Sequence, residues 1–393
     1  MSHSYPKIIF RLPEIKKAFI ALFIIPICIS GSQACSDDPI EQPPDLRTQI
    51  ARMLMVGVRG TGPELNEEMK MLVSDLGVGG IILYEYDAIS GTRPRNISSF
   101  EQVKQLVTNL REASRQPLLI GIDQEGGKVS RLKPQYGFPP TVTAQYLGAL
   151  NNPDSTAFYA SRTAEMVKST GINFNFAPVV DLNTNPECPV IGKFGRSFSA
   201  NPDVVVNCAS IFYTHQKNAG ILTTYKHFPG HGSSTTDSHA GFTDVTQTWK
   251  PIELEPYSQL IANGLCDAIM TAHVYNAHLD SVFPATLSKK VLTRILRDSL
   301  HFNGVIVSDD MMMGAITQNW SLETALRKAI DAGVDLLIFS NNVSVYNPQI
   351  ARQAIDLLEK MVTDGTIPPA RIAESYNRLT ALQRKIETRS NLE

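Results

Sequence analysis

Eight short apolar runs recur along the chain, each separated by room for a helix, and they bound what it can fold into. They are MLMVGV (53–58), GGIILY (79–84), PLLIGI (117–122), INFNFAPVV (172–180), GILTTY (220–225), DAIMTA (267–272), GVIVSD (304–309) and VDLLIF (334–339). Each is nearly continuous in apolar residues, the pattern of a parallel strand covered on both faces. Amphipathic stretches lie between them. In SSFEQVKQLVTNL, Ser98 and Glu101 have capping-box spacing, and Phe100, Val103, Leu106, Val107 and Leu110 form one stripe. In SLETALRKAIDAG, Ser321 is the expected cap and Gly333 the expected stop. PARIAESYNRLTALQRKI (369–386) reads as a final covering helix. Eight buried strands alternating with helices predict an α/β fold, a single (β/α)8 barrel of the TIM type. An open doubly wound sheet is the alternative, but no GxGxxG follows the first strands.

The barrel pattern starts near residue 49 and leaves a long N-terminal segment to explain. Lys7, Arg11, Lys16 and Lys17 precede AFIALFIIPICIS (18–30), the basic-then-apolar layout of a secretory signal. That run is shorter than the roughly 20 residues a membrane span needs. SQAC follows, ending at Cys35, and then SDDPIEQPPD. A cysteine directly after such a signal resembles a bacterial lipoprotein processing site, and the acidic SDD resembles a surface-export signal. Ser32 stands where such sites usually carry leucine, and a plain signal peptide with an incidental Cys35 is the alternative reading. The expectation is a signal over 1–35 with lipidation at Cys35, a Pro-rich linker over 36–48 and a barrel over 49–390. Such a chain is exported and held at the bacterial envelope by its lipid. Three cysteines then remain, Cys188, Cys208 and Cys266, with no CxxC pair, and they read as buried free thiols. A net charge of −2 with no dense basic run argues against nucleic acid as a partner.

Chemistry in a barrel gathers where the strands end. Asp123 follows PLLIGI, Asp181 follows INFNFAPVV, KHFPGHG follows GILTTY, His273 follows DAIMTA, and Asp309 and Asp310 end GVIVS. The densest stretch is KHFPGHGSSTTDSH (226–239), with three of the chain's eight histidines. His227 and His231 have the i,i+4 spacing that suits a metal on a helix. Pro229 and Gly230 break a helix there, and no HExxH glutamate is present, so no metal is expected. Asp237 and His239 are one residue apart, which lets the carboxylate fix the imidazole's tautomer and raise its basicity. No GxSxG elbow supports a serine nucleophile. Asp309 instead offers a carboxylate, and a carboxylate nucleophile with a separate proton donor is the kit of a retaining glycoside hydrolase. Blander roles are expected for others. Asp181 caps a turn with Asn183, and His231 shapes its own loop. His273 is either a satisfied strand-end histidine or part of the site, and Trp320 is either core or a sugar platform.

These residues carry a resemblance. GIDQEGGKVSRL (121–132), FAPVVDLN (176–183), PVIGKFGRSFSANPD (189–203), KHFPGHGSSTTDSH (226–239), MTAHV (270–274), FPATLS (283–288) and FNGVIVSDDMMMGAI (302–316) occur in that order. With them the chain resembles glycoside hydrolase family 3, in its bacterial β-N-acetylglucosaminidase branch. The KHFPGHGxxxxDSH pattern separates that branch from the family's β-glucosidases. The resemblance implies that Asp309 is the nucleophile, with Asp310 in support, and that His239 is the general acid/base, oriented by Asp237. It implies Asp123, Arg131, Arg196, Lys226 and His227 as ligands of the terminal sugar and Met313 at the pocket wall. The implied activity is retaining, exo-acting hydrolysis of terminal β-linked GlcNAc from an oligosaccharide or a peptidoglycan or chitin fragment. No cofactor and no metal are implied, and a monomer is expected. A β-glucosidase or a glycoside phosphorylase of the same family is the alternative, because histidine brings an incoming phosphate less negative charge than a carboxylate does. A catalytically idle sugar-binding lipoprotein is opposed by intact residues at both implied catalytic positions.

Overall fold

The computed structural model describes residues 44–390, except Pro63 and Ser344. The expected signal, Cys35 and most of the expected linker therefore lie outside the described residues. All eight apolar runs form strands: β1 (Leu54–Gly57), β2 (Gly80–Ile82), β3 (Leu119–Ile122), β4 (Phe174–Asn175), β5 (Leu222–Phe228), β6 (Ala268–Thr271), β7 (Val305–Asp310) and β8 (Leu336–Phe339). They pair in chain order, all parallel, and β8 closes onto β1 through Leu54↔Leu337. The fold is thus the closed (β/α)8 barrel and not the open sheet. Met55 packs inside it against two glycines, and a Cβ on Gly121 would stand 2.9 Å from the Met55 Sδ.

Helices wrap the barrel. The stripe from Phe100 to Leu110 lies on Phe100–Ala113, whose cap is Ser99 and not Ser98. Ser99 Oγ accepts from Gln102 N at 3.2 Å, and the Gln102 side chain returns to Ser98 N at 2.8 Å. The box has slipped because Gln102, not Glu101, reaches back. Ser321 and Gly333 bound Leu322–Ala332 as expected. The first helix, Leu46–Arg52, begins inside the stretch expected as linker. Asp45 accepts from Thr48 N at 2.7 Å, and Ile50 and Ala51 are buried in the core, so the body begins at Pro44 and not at residue 49.

Most strands are shorter than their apolar runs by two or three residues, and two strands depart further at their C-terminal ends. β4 ends after Asn175; beyond it Phe176 N still donates to Ile122 O at 2.8 Å, and Val179 bridges Lys226. Pro178 has no N–H to give a ladder there. β5 runs on to Phe228, past the expected Tyr225. The ladder also slips at two places. Between β5 and β6 the register goes from Tyr225↔Ile269 to Phe228↔Thr271, and between β7 and β8 from Val307↔Leu336 to Asp310↔Ile338. Each slip adds one residue to the strand, as a β-bulge does. Neighbours in a regular strand face opposite sides. Here Lys226 and His227, and likewise Asp309 and Asp310, line a single cavity.

The other end of the barrel is closed by ion pairs. Asp267, just before β6, meets Arg389 at 2.7 Å and Lys385 at 3.1 Å. Asp335, just before β8, meets Arg297 at 2.6 Å, Arg378 at 3.3 Å and Arg371 at 3.4 Å. These contacts pin the closing helix, Pro369–Ser390, to the base.

Candidate active site

A cavity of about 470 Å³ opens where the strands end. Asp123, Arg131, Arg196, Lys226, His227, Asp237, His239, Asp309 and Met313 all line it. Every site residue expected from the sequence is therefore brought together, apart from Cys35, which lies outside the described residues.

The floor is a chain of alternating charges. Lys226 Nζ is 2.7 Å from both Asp123 Oδ1 and Glu125 Oε1. Arg131 Nη2 reaches Asp123 Oδ2 at 3.2 Å. Arg196 grips Glu125 twice, Nε to Oε2 at 2.8 Å and Nη2 to Oε1 at 2.7 Å. At the outer end Glu85 meets Lys133 at 2.6 Å and Arg131 at 3.6 Å. Burial would raise the carboxyls of Asp123 and Glu125. The cations beside them outweigh it, Lys226 and Arg131 for Asp123, Arg196 and Lys226 for Glu125, and hold both well below the usual carboxylate value. The floor stays ionised at neutral pH and offers fixed, charge-assisted donors and acceptors suited to a polyhydroxylated ring. Glu125 and Glu85 were not among the residues expected from the sequence. A signal was available in the chain: Glu125 belongs to DQEGG, the acidic stretch directly after β3.

Asp181 does not cap a turn with Asn183; its carboxylate is turned to the histidine loop instead. It is fully buried, and its carboxylate accepts from His227 N at 3.1 Å and His231 N at 2.8 Å. His227 Nδ1 lies 2.7 Å from Asp181 Oδ2, which makes Nδ1 the protonated nitrogen. His227 Nε2 then faces the Arg196 guanidinium at 3.3 Å, where a metal cation would be repelled. His231 braces the loop with both ring nitrogens, 2.9 Å from Ser234 Oγ and 3.0 Å from Ser238 Oγ. Burial, helped by His227, lowers its pKa to about 4, so it is neutral. His273 is a satisfied strand-end histidine, held by Thr286 Oγ1 at 2.8 Å and the Asp310 carbonyl at 2.9 Å. Trp320 packs on Phe283 and does not line the cavity.

His239 comes from the loop after β5. Its Nδ1 donates to Asp237 Oδ1 at 2.7 Å, and its backbone N donates to the same oxygen at 2.8 Å. With the side chain 58% exposed, it stands at the mouth. Backbone bonds dock the loop onto the segment after β7: Gly314 N to His239 O at 3.2 Å and Ala315 N to Ser238 O at 3.3 Å. That segment leaves the strand carrying Asp309, and Met313, almost wholly buried, closes the wall between them. Burial would lower the His239 pKa, but the Asp237 hydrogen bond and then the Asp309 charge bring it above the ordinary histidine value. Burial would raise the Asp309 carboxyl, but the imidazoles of His273, His227 and His239 hold it below the usual value. Asp310 differs from its neighbour. It accepts from Ser340 N at 2.9 Å and Met312 N at 3.1 Å, bonds the Ser340 hydroxyl, and is pushed by burial up to about 6. It knits β7 to β8 and so supports Asp309 from the adjacent position.

Residues 45–382 match the family described as glycosyl hydrolase family 3 N terminal domain. The chain belongs to glycosyl hydrolase family 3. It is a glycoside hydrolase. A β-hexosaminidase of Haemophilus influenzae is 38% identical over 288 residues, 71% of this chain and 77% of the relative. One from Tolumonas auensis is 33% identical over 351 residues, 86% of this chain and 97% of the relative. Among solved structures, a family 3 β-N-acetylglucosaminidase from Paenibacillus is 32% identical with a TM-score of 0.79, covering 88% of this chain and 63% of that longer protein. A β-N-acetylhexosaminidase from Beutenbergia cavernae is 26% identical with a TM-score of 0.77, covering 87% of this chain and 99% of that one.

Proposed function

We propose that this family 3 hydrolase is a retaining, exo-acting β-N-acetylglucosaminidase, with Asp309 as nucleophile and His239, oriented by Asp237, as acid/base. One observation carries the reading: Asp309 and His239 line the same cavity, the histidine at its mouth and a charged floor beside the aspartate. Protonated His239 gives its Nε2 proton to the glycosidic oxygen while the Asp309 carboxylate attacks the anomeric carbon. The leaving portion departs as an alcohol, and the sugar remains as an ester of Asp309. Neutral His239 then takes a proton from water, which attacks the same carbon and frees Asp309. Two inversions retain the configuration. The floor, Asp123, Arg131, Arg196, Lys226 and His227, binds the hydroxyls and N-acetyl arm of one terminal sugar. The β-hexosaminidase names of the relatives support the N-acetylated substrate. From the sequence alone we infer that the chain is exported and anchored through lipid on Cys35.

A 5-fluoro-GlcNAc reagent with an activated leaving group tests the mechanism. Peptide mass spectrometry is expected to find the sugar on Asp309, and a label on another residue overturns the assignment. Turnover of aryl GlcNAc is expected to exceed that of aryl glucoside and to yield free GlcNAc with phosphate present. GlcNAc 1-phosphate as product would make the enzyme a phosphorylase. Replacing Cys35 by Ala is expected to release the chain from membranes, and retention would remove the anchor.

A further inference from the structure

The cavity accounts for one sugar, and the surface outside it carries unexplained aromatic rings. Large exposed apolar side chains are few among the described residues, and four of them, Phe194, Tyr146, Leu150 and Phe158, fall in one sector. Of these Phe194 lines the cavity; it is 44% exposed. Lys128 lies against one face of the Phe194 ring, its Nζ 5.4 Å from the centroid, and is itself tied to the Lys193 carbonyl at 2.9 Å. Phe194 ends a short turn whose next residue, Gly195, accepts a hydrogen bond from Gln145 N at 3.1 Å. That bond docks the helix Ala144–Leu150 beside the mouth. The following residue, Tyr146, packs edge-on against Tyr159 at 6.5 Å, and Tyr159 against Phe158 at 5.1 Å. Phe158 is 54% exposed and Tyr146 48%. Phe194 at the mouth and the Tyr146–Tyr159–Phe158 group beyond it are thus joined through the Gln145–Gly195 backbone bond, with Lys128 beside the first ring and Arg162 beside the last.

We infer that these rings form a track for the leaving portion of the substrate, and that the occupant is a linear β-linked oligosaccharide of several sugars. The inference rests on the exo-acting reading above, which sends everything beyond the first glycosidic bond out through the mouth. Pyranose rings present flat C–H faces that stack on aromatic rings, and their hydroxyls suit a rim of lysine and arginine. Contiguity with the cavity distinguishes this sector from another exposed ring. Phe242 is 48% exposed and pairs with Tyr275 at 5.1 Å, but it does not line the cavity. An exposed apolar patch of this kind marks a binding surface, and here its continuity with the site names the ligand.

The test uses β-1,4-linked GlcNAc oligomers from the dimer to the hexamer, with kcat/KM read at each length. One ring contact changes affinity by about two- to tenfold. The unaltered protein is expected to favour the pentamer over the dimer by at least that factor. Phe194→Ala is expected to lower kcat/KM at every length, the dimer included, because the second sugar already meets the mouth. Tyr146→Ala with Phe158→Ala is expected to lower it only for the longer oligomers, and Phe242→Ala to leave the ratio as it was. Flat dependence on length in the unaltered protein overturns the track, as does an equal loss in Phe242→Ala. Failure to cleave aryl GlcNAc at all is a separate result, which overturns the proposed activity and not the track alone.

Discussion

Asp309 and His239 need opposite charges at the same pH, and their surroundings supply them. Three imidazoles keep Asp309 ionised below the ordinary aspartate value, and Asp237 keeps His239 protonated above the ordinary histidine value. Activity is therefore expected to be bell-shaped in pH. The acid limb follows protonation of Asp309, and the alkaline limb follows loss of the His239 proton. Asp237→Asn removes the carboxylate that raises His239, so the alkaline limb is expected to move to lower pH. A profile of kcat/KM for that variant checks the sign, and an upward move contradicts it. His239→Ala is expected to lower kcat by about 10²–10⁴-fold on a GlcNAc disaccharide, the usual worth of general acid catalysis. With a dinitrophenyl leaving group, which departs without a proton, the loss of the acid no longer matters in the first step. Steady-state rates on the two substrates separate these cases, and equal losses argue against an acid role.

At the scale of elements, the sequence is legible wherever burial alone decides the outcome. All eight strands appear as apolar runs because both faces of each are covered, and the stripe from Phe100 to Leu110 packs as its periodicity predicts. The bulges on β5 and β7 are not legible. They depend on which partner residue a neighbouring strand offers, and no local pattern encodes that. This is why Lys226–His227 and Asp309–Asp310 each share a cavity that strict alternation would divide. The role of Asp181 is not legible for a similar reason: its partners, His227 and His231, lie some fifty residues away along the chain. The docking of the His239 loop is equally non-local, and it turns on Gly314. A Cβ there would stand 2.9 Å from the Ala240 carbonyl oxygen, too close for backbone to accept. Gly314→Ala is expected to push the loop outward and misplace His239. A displacement of about 1 Å from productive geometry lowers rates by as much as about 10²-fold. The loss is expected mainly in kcat on the disaccharide, with KM little changed, because the floor is untouched. A rise in KM with kcat intact contradicts this account.

The whole molecule divides its tasks between the two ends of the barrel. Charges at the mouth pair with one another while lining the cavity, whereas charges at the base tie the strand starts to the closing helix. Asp335 shows what the base does. Its carboxylate accepts from Ile306 N at 3.0 Å and Ser375 Oγ at 2.7 Å while it meets Arg297, Arg371 and Arg378. One group thereby joins the start of β7, the helix that precedes it and the closing helix. Asp335→Ala leaves three guanidiniums facing one another without their shared anion. Breaking a buried pair in this way is expected to cost about 3–5 kcal/mol of stability. Urea unfolding is expected to show a lower midpoint at unchanged slope, since the surface exposed on unfolding is the same. Ser375→Ala, which removes a hydroxyl that donates to the same carboxylate and accepts from Arg371 Nη1 at 2.7 Å, is expected to lose less, about 1.5–3 kcal/mol. Both variants, assayed well below their midpoints, are expected to keep the kcat of the unaltered protein, because Asp309 and Ser340 lie at the opposite ends of β7 and β8 from this cluster. A fall in kcat without a fall in stability would mean that the strands transmit strain from base to mouth, and the division between the two ends would have to be abandoned.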